Sequence, residues 1–234
     1  SYKHNVVDYK FAKIKFEQPL HGVQYKKGIN WTNNQYVVNK DNLKKDFALM
    51  KNIGVNFIRF EGQNIYDYNL IKFSKEFNIN VMYSFWVDTN TDYILDSLKL
   101  KNRKTEILKT VEKYKNHPHI ISWNIGNTNR TNIENNFNTP ALFYHRDAYL
   151  KWLKELVVDI KKIDPTRIVS MDMFLKKTTG TFMFEIQKSH IPVDYLGLIV
   201  SDTTFLSKFK KEASKINIPT YIADIDPEIY ASLQ

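Results

Sequence analysis

Short apolar segments alternate with amphipathic segments along most of the chain. Runs rich in Val, Ile and aromatic residues occur at 55–60, 79–87, 119–125, 168–174, 195–200 and 218–225, with a weaker run at 21–26. Such runs are typical of parallel strands that are buried on both faces. Between them, apolar residues recur at helical spacing in 43–53, 66–77, 150–163 and 206–216. Gly54 follows the first of these segments and is expected to end its helix.

This alternation of strand and helix predicts a parallel sheet covered by helices. A doubly wound α/β fold needs a glycine-rich turn after its first strand, and the seven glycines of the chain are not clustered. We therefore expect an α/β protein of the TIM-type (β/α)-barrel class. Seven strands are visible, so the eighth is missing or irregular. Residues 21–234 form the expected barrel, and residues 1–20 form an N-terminal extension or a strand pair.

Composition narrows the possible functions. The chain has 43% hydrophobic and 25% charged residues, as expected for a globular domain, and contains no apolar run long enough to cross a membrane. The absence of cysteine excludes disulfides and thiolate chemistry. The net charge of +9 comes from scattered lysines without a nucleic-acid recognition motif. No specific nucleic-acid partner is therefore expected.

Functional residues of a (β/α)-barrel lie where the strands end, at the carboxyl edge. Acidic, amide and aromatic side chains gather there, which suits a sugar because carboxylates bind hydroxyls and aromatic faces stack on pyranose rings. The Asn-rich segment 128–145 is expected to cover this cleft. Each acid could instead be a solvated loop residue or a helix cap. The candidate substrate-binding residues are Arg59, Glu61, Trp86, Asp88, Trp123, Asn127, Asp172, Asp202 and Asp226.

One segment carries a more specific signal. Residues 116–128, NHPHIISWNIGNT, resemble the fourth strand of clan A glycoside hydrolases, above all the family 2 type of β-glycosidase barrel. The pattern there is N-H-P, an apolar strand and W-x-x-G-N-E. Segments 46–59, 193–197 and 219–224 resemble the first helix with the second strand, the sixth strand and the seventh strand of the same barrels. Related β-glucanase and glucanosyltransferase barrels are also similar.

The resemblance implies a retaining mechanism with two carboxyl groups about 5–5.5 Å apart. The acid/base glutamate of the family falls on Thr128, which has no useful proton to give, and the nucleophile falls on the shorter Asp224. Ile199 and Ser201 replace the usual Asn and Tyr of the sixth strand. Arg59, Trp123 and Asn127 match the family's strand-two Arg, strand-four aromatic residue and substrate-binding Asn.

We therefore hypothesise a pseudo-glycosidase that binds a β-linked oligo- or polysaccharide with little or no hydrolysis. Another module or protein chain of a glycan-handling assembly is a further candidate partner. One alternative is an active retaining glycosidase or transglycosidase that uses Asp224 or Asp226 as nucleophile and Glu61, Asp88, Asp172 or Asp202 as proton donor. Another is a non-catalytic scaffold. No cofactor is expected, and His117 and His119 are interpreted as structural residues, not metal ligands. An extracellular, cell-surface or periplasmic location is favoured.

Overall fold

The computed structural model describes residues 21–26, 39–63, 65–126, 129–226 and 229. The predicted extension 1–20 therefore lies outside the described residues. The strands are β1 (Gly22–Gln24), β2 (Phe57–Glu61), β3 (Asn80–Phe85), β4 (Ile120–Ile125), β5 (Ile168–Phe174), β6 (Tyr195–Val200) and β7 (Thr220–Ile225). The helices are α1 (Lys40–Asn52), α2 (Asp67–Phe77), α3 (Ser97–Tyr114), α4 (Asn129–Asn136), α5 (Ala141–Ile163), α6 (Thr179–Lys188) and α7 (Leu206–Ala213).

All seven strands are parallel and pair in sequence order, from β1 to β7. The predicted TIM-type (β/α) barrel is thus confirmed, as are its seven strands. Among the described residues, no strand joins β7 to β1, so the barrel is nearly closed with one seam. Helices α3, α4 and α6 were not predicted from the spacing of apolar residues. α3 has only three buried residues among its 18, and α4 and α6 have only 8 and 10 residues.

The sequence determines where helix α1 ends. Gly54 has a φ of +83°, a left-handed conformation that glycine adopts without steric cost. Its N–H donates to the carbonyl of Lys51 at 3.1 Å, and the N–H of Val55 donates to that of Met50 at 2.9 Å. This pair of bonds is a Schellman motif, and it turns the chain directly into β2.

Alternating residues of each strand face either the helices or the barrel interior. The outward side chains, such as Ile58, Phe60, Tyr83 and Leu196, are almost completely buried under the helix layer. They form one apolar core with the inner faces of the helices. The inward positions include several polar side chains, and these begin the candidate site.

Candidate functional site

A chain of polar side chains crosses the inside of the barrel from β2 to β7. Nε of Arg59 donates to Oγ of Ser84 at 3.0 Å, and that hydroxyl donates to Oδ1 of Asn124 at 3.0 Å. Nδ2 of Asn124 donates to Oδ1 of Asp172 at 3.0 Å, and the hydroxyl of Tyr221 donates to the same oxygen at 3.0 Å. Hydrogen bonds between side chains thus join strands β2, β3, β4, β5 and β7 in the barrel interior.

The charge at the centre of this network is an ion pair. Nη2 of Arg59 lies 2.6 Å from Oδ2 of Asp172, and both side chains are buried. Burial raises the pKa of the Asp172 carboxyl, opposed by the Arg59 charge and by hydrogen bonds from Tyr221 and Asn124. Burial also raises the pKa of the Tyr221 hydroxyl, reinforced by the Asp172 carboxylate. The charges of Arg59 and Asp172 therefore neutralise each other, and Asp172 has almost no surface that a substrate could contact.

Two of the acids at the carboxyl edge of the barrel, which we call the mouth, are held by neighbouring groups of the chain. Asp88 accepts from Nζ of Lys99 at 2.6 Å and from the N–H of Asn90 at 3.0 Å. Asp202 accepts from the N–H and hydroxyl of Thr204 at 2.8 and 2.6 Å. The Lys99 bond lowers the pKa of Asp88, and the Thr204 bonds lower that of Asp202. Carboxyls with lowered pKa values are ionised at neutral pH, so neither is suited to be a general acid.

The other mouth residues remain accessible. Glu61 ends β2 and is half-buried, while Asp224 and Asp226 are exposed on and just after β7. Asp224 pairs with Ile199, two residues beyond the Gly197 that pairs with Asp172. The Asp224 position thus lies one pleat repeat closer to the carboxyl edge than the buried ion pair. Trp86 directly follows β3, and the residue is 37% exposed.

Trp123 was expected to bind substrate, and the structure corrects this. Its ring is completely buried, stacks on Phe85 with centroids 5.9 Å apart, and donates from Nε1 to Oδ2 of Asp164 at 2.8 Å. Asp164 follows α5 and precedes β5, at the opposite end of the barrel from the mouth. The alternation of the strand explains the difference, because inward-facing Ser122 and Asn124 flank Trp123 and turn its ring towards the helices.

The two residues that matter most for the family pattern, Asn127 and Thr128, lie outside the described residues. The segment that follows them does not form an extended cover. Residues 129–136 form α4, which packs on α5 and β5, and α5 begins at Ala141. His145 is buried on α5 and stacks on Phe137 with ring centroids 3.5 Å apart. Residues 129–136 are therefore helical, and they lie beside the carboxyl edge, where Nδ2 of Asn129 donates to the carbonyl of Asp88 at 3.1 Å.

His117 and His119 lie at the start of β4, far from the mouth. Nearby, Arg167 donates to the carbonyls of Ile120, Lys115 and His117, which anchors this corner structurally. Within the ranges that the structure describes, no three His, Asp or Glu side chains lie close enough to hold a metal ion. Nor is any helix of the described part long and apolar enough to span a membrane.

A cavity of about 460 Å³ lies at the amino edge of the barrel, on the side opposite the mouth. The first residues of several strands line it, among them Gly22, Phe57 and Ile168, together with Arg59 and Tyr221 from the network. It opens along the seam, where Val23 of β1 and Ile222 of β7 are exposed. This cavity contains none of the mouth acids.

Tyr221, Ser84 and Ser170 were not among the predicted site residues, although all three belong to the polar network. Nδ2 of Asn124 donates to Oγ of Ser170 at 3.1 Å. A usable signal was present, because polar residues occupy every second position of otherwise apolar strands, as in Ser122 with Asn124 and Ser170 with Asp172. Polar residues with a period of two in a buried strand indicate an inward face that is hydrogen-bonded.

A parallel barrel with a polar interior and an acidic, aromatic mouth defines the class of TIM-barrel proteins whose sites lie at the carboxyl edge. Residues 21–195 match the family described as glycosyl hydrolases family 2, TIM barrel domain. The chain belongs to this family. No curated protein matches the chain in sequence.

Solved structures show the same fold. A β-glucuronidase 2 of Bacteroides uniformis, covalently bound to cyclophellitol-6-carboxylate aziridine, superposes with a TM-score of 0.70 and 21% identity, over 89% of this chain and 25% of its own. A family 2 β-galacturonidase of Eisenbergiella tayi bound to galacturonate superposes with a TM-score of 0.56 and 18% identity. The match covers 80% of this chain and 32% of the galacturonidase. A β-galactosidase of Rahnella sp. R3 superposes with a TM-score of 0.57 and 12% identity, over 86% of this chain and 43% of the galactosidase. The chain thus spans a quarter to less than half of these proteins.

Proposed function

We propose that this barrel binds a β-linked glycan at its carboxyl edge with little or no hydrolysis. Family membership supports a carbohydrate ligand, and the similar structures are named as glycosidases that act on β-linked sugars. The substitution of Thr128 at the acid/base position carries the proposal, because threonine cannot act as a general acid. Loss of general acid catalysis typically costs about 10²–10⁴-fold in rate.

The surroundings of the other carboxyls support the same conclusion. Asp88 is ionised and bound to Lys99 of α3, Asp202 is ionised and bound to Thr204, and Asp172 is buried against Arg59. None of these three is suited to replace the missing acid. Glu61 and Asp224 remain as accessible carboxylates that can accept hydrogen bonds from sugar hydroxyls.

Trp86 is the proposed sugar platform, in place of Trp123. It follows β3 at the mouth, and its exposed ring offers an apolar face to a pyranose. The backbone carbonyl of Trp86 accepts a hydrogen bond from Arg103 of α3, which fixes the base of this platform.

Calorimetric titration with neutral and acidic β-linked oligosaccharides tests the proposal, with chromatography of each mixture afterwards. Saturable binding of intact sugar, weakened in Trp86→Ala and unchanged in Phe184→Ala, would support it. Phe184 is the matched control because it is an exposed aromatic residue on α6, outside the mouth. Cleavage at ordinary enzyme rates would instead favour an active glycosidase with Asp224 as nucleophile. Absence of binding to every sugar would favour a scaffold.

A further inference from the structure

The cavity of about 460 Å³ at the amino edge of the barrel has a mostly apolar and incompletely covered lining. The interior of a (β/α)-barrel is normally filled by layers of inward side chains. Here Phe57, Ile121 and Tyr195 are only half-buried, and Val23 and Ile222 are 39% and 52% exposed. Such an apolar surface is stabilised when another apolar segment covers it.

The described connections between helices and strands leave this cavity uncovered. Every described residue that lines it belongs to one of the strands β1 to β7. The connections that lead from the helices into β2 to β7 at the amino edge contribute no residue to the lining, within the ranges that the structure describes. A cover must therefore come from another segment.

The chain enters the barrel at the rim of this cavity. Gly22, the first residue of β1, lines the cavity, and His21 directly precedes it. The N–H of His21 donates to Oδ1 of Asn56 at 2.8 Å, and the carbonyl of His21 accepts from the N–H of Asn56 at 3.1 Å. These two bonds fix the point from which residues 1–20 extend. The residues that follow β7 leave from the opposite, carboxyl edge, because β7 runs parallel to β1.

Residues 13–17, KIKFE, have the side-chain pattern that suits this cavity, because charged residues alternate with large apolar ones. In an extended segment, Ile14 and Phe16 share one face and the charged side chains share the other. Ile14 lies seven residues before His21, so an extended chain places it within about 25 Å of this anchor. Since the cavity begins directly beside the anchor, both apolar side chains can reach it.

We propose that residues 13–17 cover the amino-edge cavity, with Ile14 and Phe16 directed into it and the charged side chains directed to solvent. The segment covers the exposed apolar side chains at the seam. It also excludes water from the lower side of Arg59 and Tyr221, which line the cavity and belong to the polar network. This proposal concerns the amino edge and does not depend on glycan binding at the mouth.

Thiol labelling tests this proposal cleanly, because the chain contains no cysteine. Ile222→Cys places one thiol on the seam, where the side chain is exposed and its replacement should leave the fold intact. Ser207→Cys places a reference thiol on the exposed surface of α7. The rate of reaction with a maleimide would be measured for each thiol in the full chain.

Both thiols would be compared in three backgrounds, namely the otherwise unaltered chain, Ile14→Ser/Phe16→Ser and Lys13→Ser/Lys15→Ser. The lysine variant is the matched control, because it changes the neighbouring positions on the opposite face. We expect the seam thiol to react roughly tenfold faster in Ile14→Ser/Phe16→Ser than in the other two backgrounds. The reference thiol should react at the same rate in all three.

Equal rates of the seam thiol in all three backgrounds would overturn the proposal. A rate that falls as the protein concentration rises would overturn it as well, because a second copy of the chain would then cover the seam.

A crosslinking measurement covers the case in which Ile14→Ser/Phe16→Ser fails to fold. A short bifunctional maleimide should join Lys15→Cys to Ile222→Cys within one chain. It should not join Lys15→Cys to Ser207→Cys, because Ser207 lies at the start of α7, which follows β6 at the carboxyl edge. Crosslinking of both pairs to the same extent, or of neither pair, would overturn the proposal.

Discussion

Arg59 and Asp172 face each other inside the barrel with 2.6 Å between Nη2 and Oδ2, and solvent barely reaches either side chain. The pair joins β2 to β5 across the interior, between strands that are not neighbours in the sheet. Both residues were candidate sugar ligands, and in the structure their charged groups are bound to each other.

Replacing Arg59 with Met should destabilise the fold by about 3–5 kcal/mol, because it leaves the Asp172 charge buried without its partner. The free energy of unfolding in urea measures this effect. The double variant Arg59→Met with Asp172→Leu should lose less, because no uncompensated charge remains. If the single variant were as stable as the unaltered chain, the pair would not be the central electrostatic contact of the barrel.

Replacing Trp123 with Phe should lower the free energy of unfolding by about 1.5–3 kcal/mol, because the lost hydrogen bond ends on the Asp164 carboxylate. Glycan affinity should stay the same, since the ring has no exposed surface. Trp86→Ala should show the reverse pattern, with weaker binding and little change in stability. If Trp123→Phe lowered glycan affinity without lowering the free energy of unfolding, Trp123 would be a glycan-binding residue after all.

Stability should fall as the pH is lowered through the range in which His117 and His119 titrate. Burial lowers the pKa of both imidazoles, assisted at each by the charge of Lys75 and, at His117, also by His119 and Arg167. The unfolded chain, with histidine pKa values near about 6.5, then binds more protons than the folded chain. The stabilisation is therefore present above that pH and is lost below it.

Urea unfolding between pH 7.5 and 5 would test this dependence. Comparison with His117→Gln/His119→Gln isolates the two imidazoles from the carboxyls, and His190→Gln serves as a control at an unrelated turn. The double variant should give a flatter profile than the unaltered chain. A profile that keeps its slope in the double variant would assign the effect to other groups.

Restoring both family carboxyls should raise hydrolysis. The double variant Thr128→Glu/Asp224→Glu regains a general acid and a nucleophile of full length, so release of reducing ends from a bound oligosaccharide should increase by about 10²–10⁴-fold. Thr128→Gln/Asp224→Glu, which has the same shape without the acid, should remain close to the unaltered chain. Equal rates in the two variants would show that the lost acid is not what limits catalysis.

The barrel could be predicted from the sequence because short strands rich in Val, Ile and aromatic residues alternate with segments of helical spacing. The end of α1 at Gly54 could be predicted because it depends on a local property, the ability of glycine to adopt a left-handed φ. The orientation of Trp123 could not be read, since it depends on a single alternation within β4 and on an acceptor, Asp164, that is 41 residues away. The Arg59–Asp172 pair likewise depends on the proximity of strands separated by more than one hundred residues.

The mouth acids show a second limit. Asp88 and Asp202 satisfied every criterion that a sequence offers for a ligand at a strand end. Their engagement with Lys99 and Thr204 depends on local loop geometry that the sequence does not display. The alternative stated for each acid was a solvated loop residue or a helix cap, and both of these exposed acids follow strands and bind nearby residues of the chain.

Along β7, exposed residues alternate with half-buried ones, so this strand has little protection against local unfolding. Strands β3 to β5 are covered on both faces, whereas β7 borders the seam and has only β6 as a neighbour among the described strands. Its amide hydrogens should therefore exchange with solvent earlier than those of β4 during local opening. Asp224 lies on this seam strand, so a sugar that contacts Asp224 should slow amide exchange in β7 more than in β4.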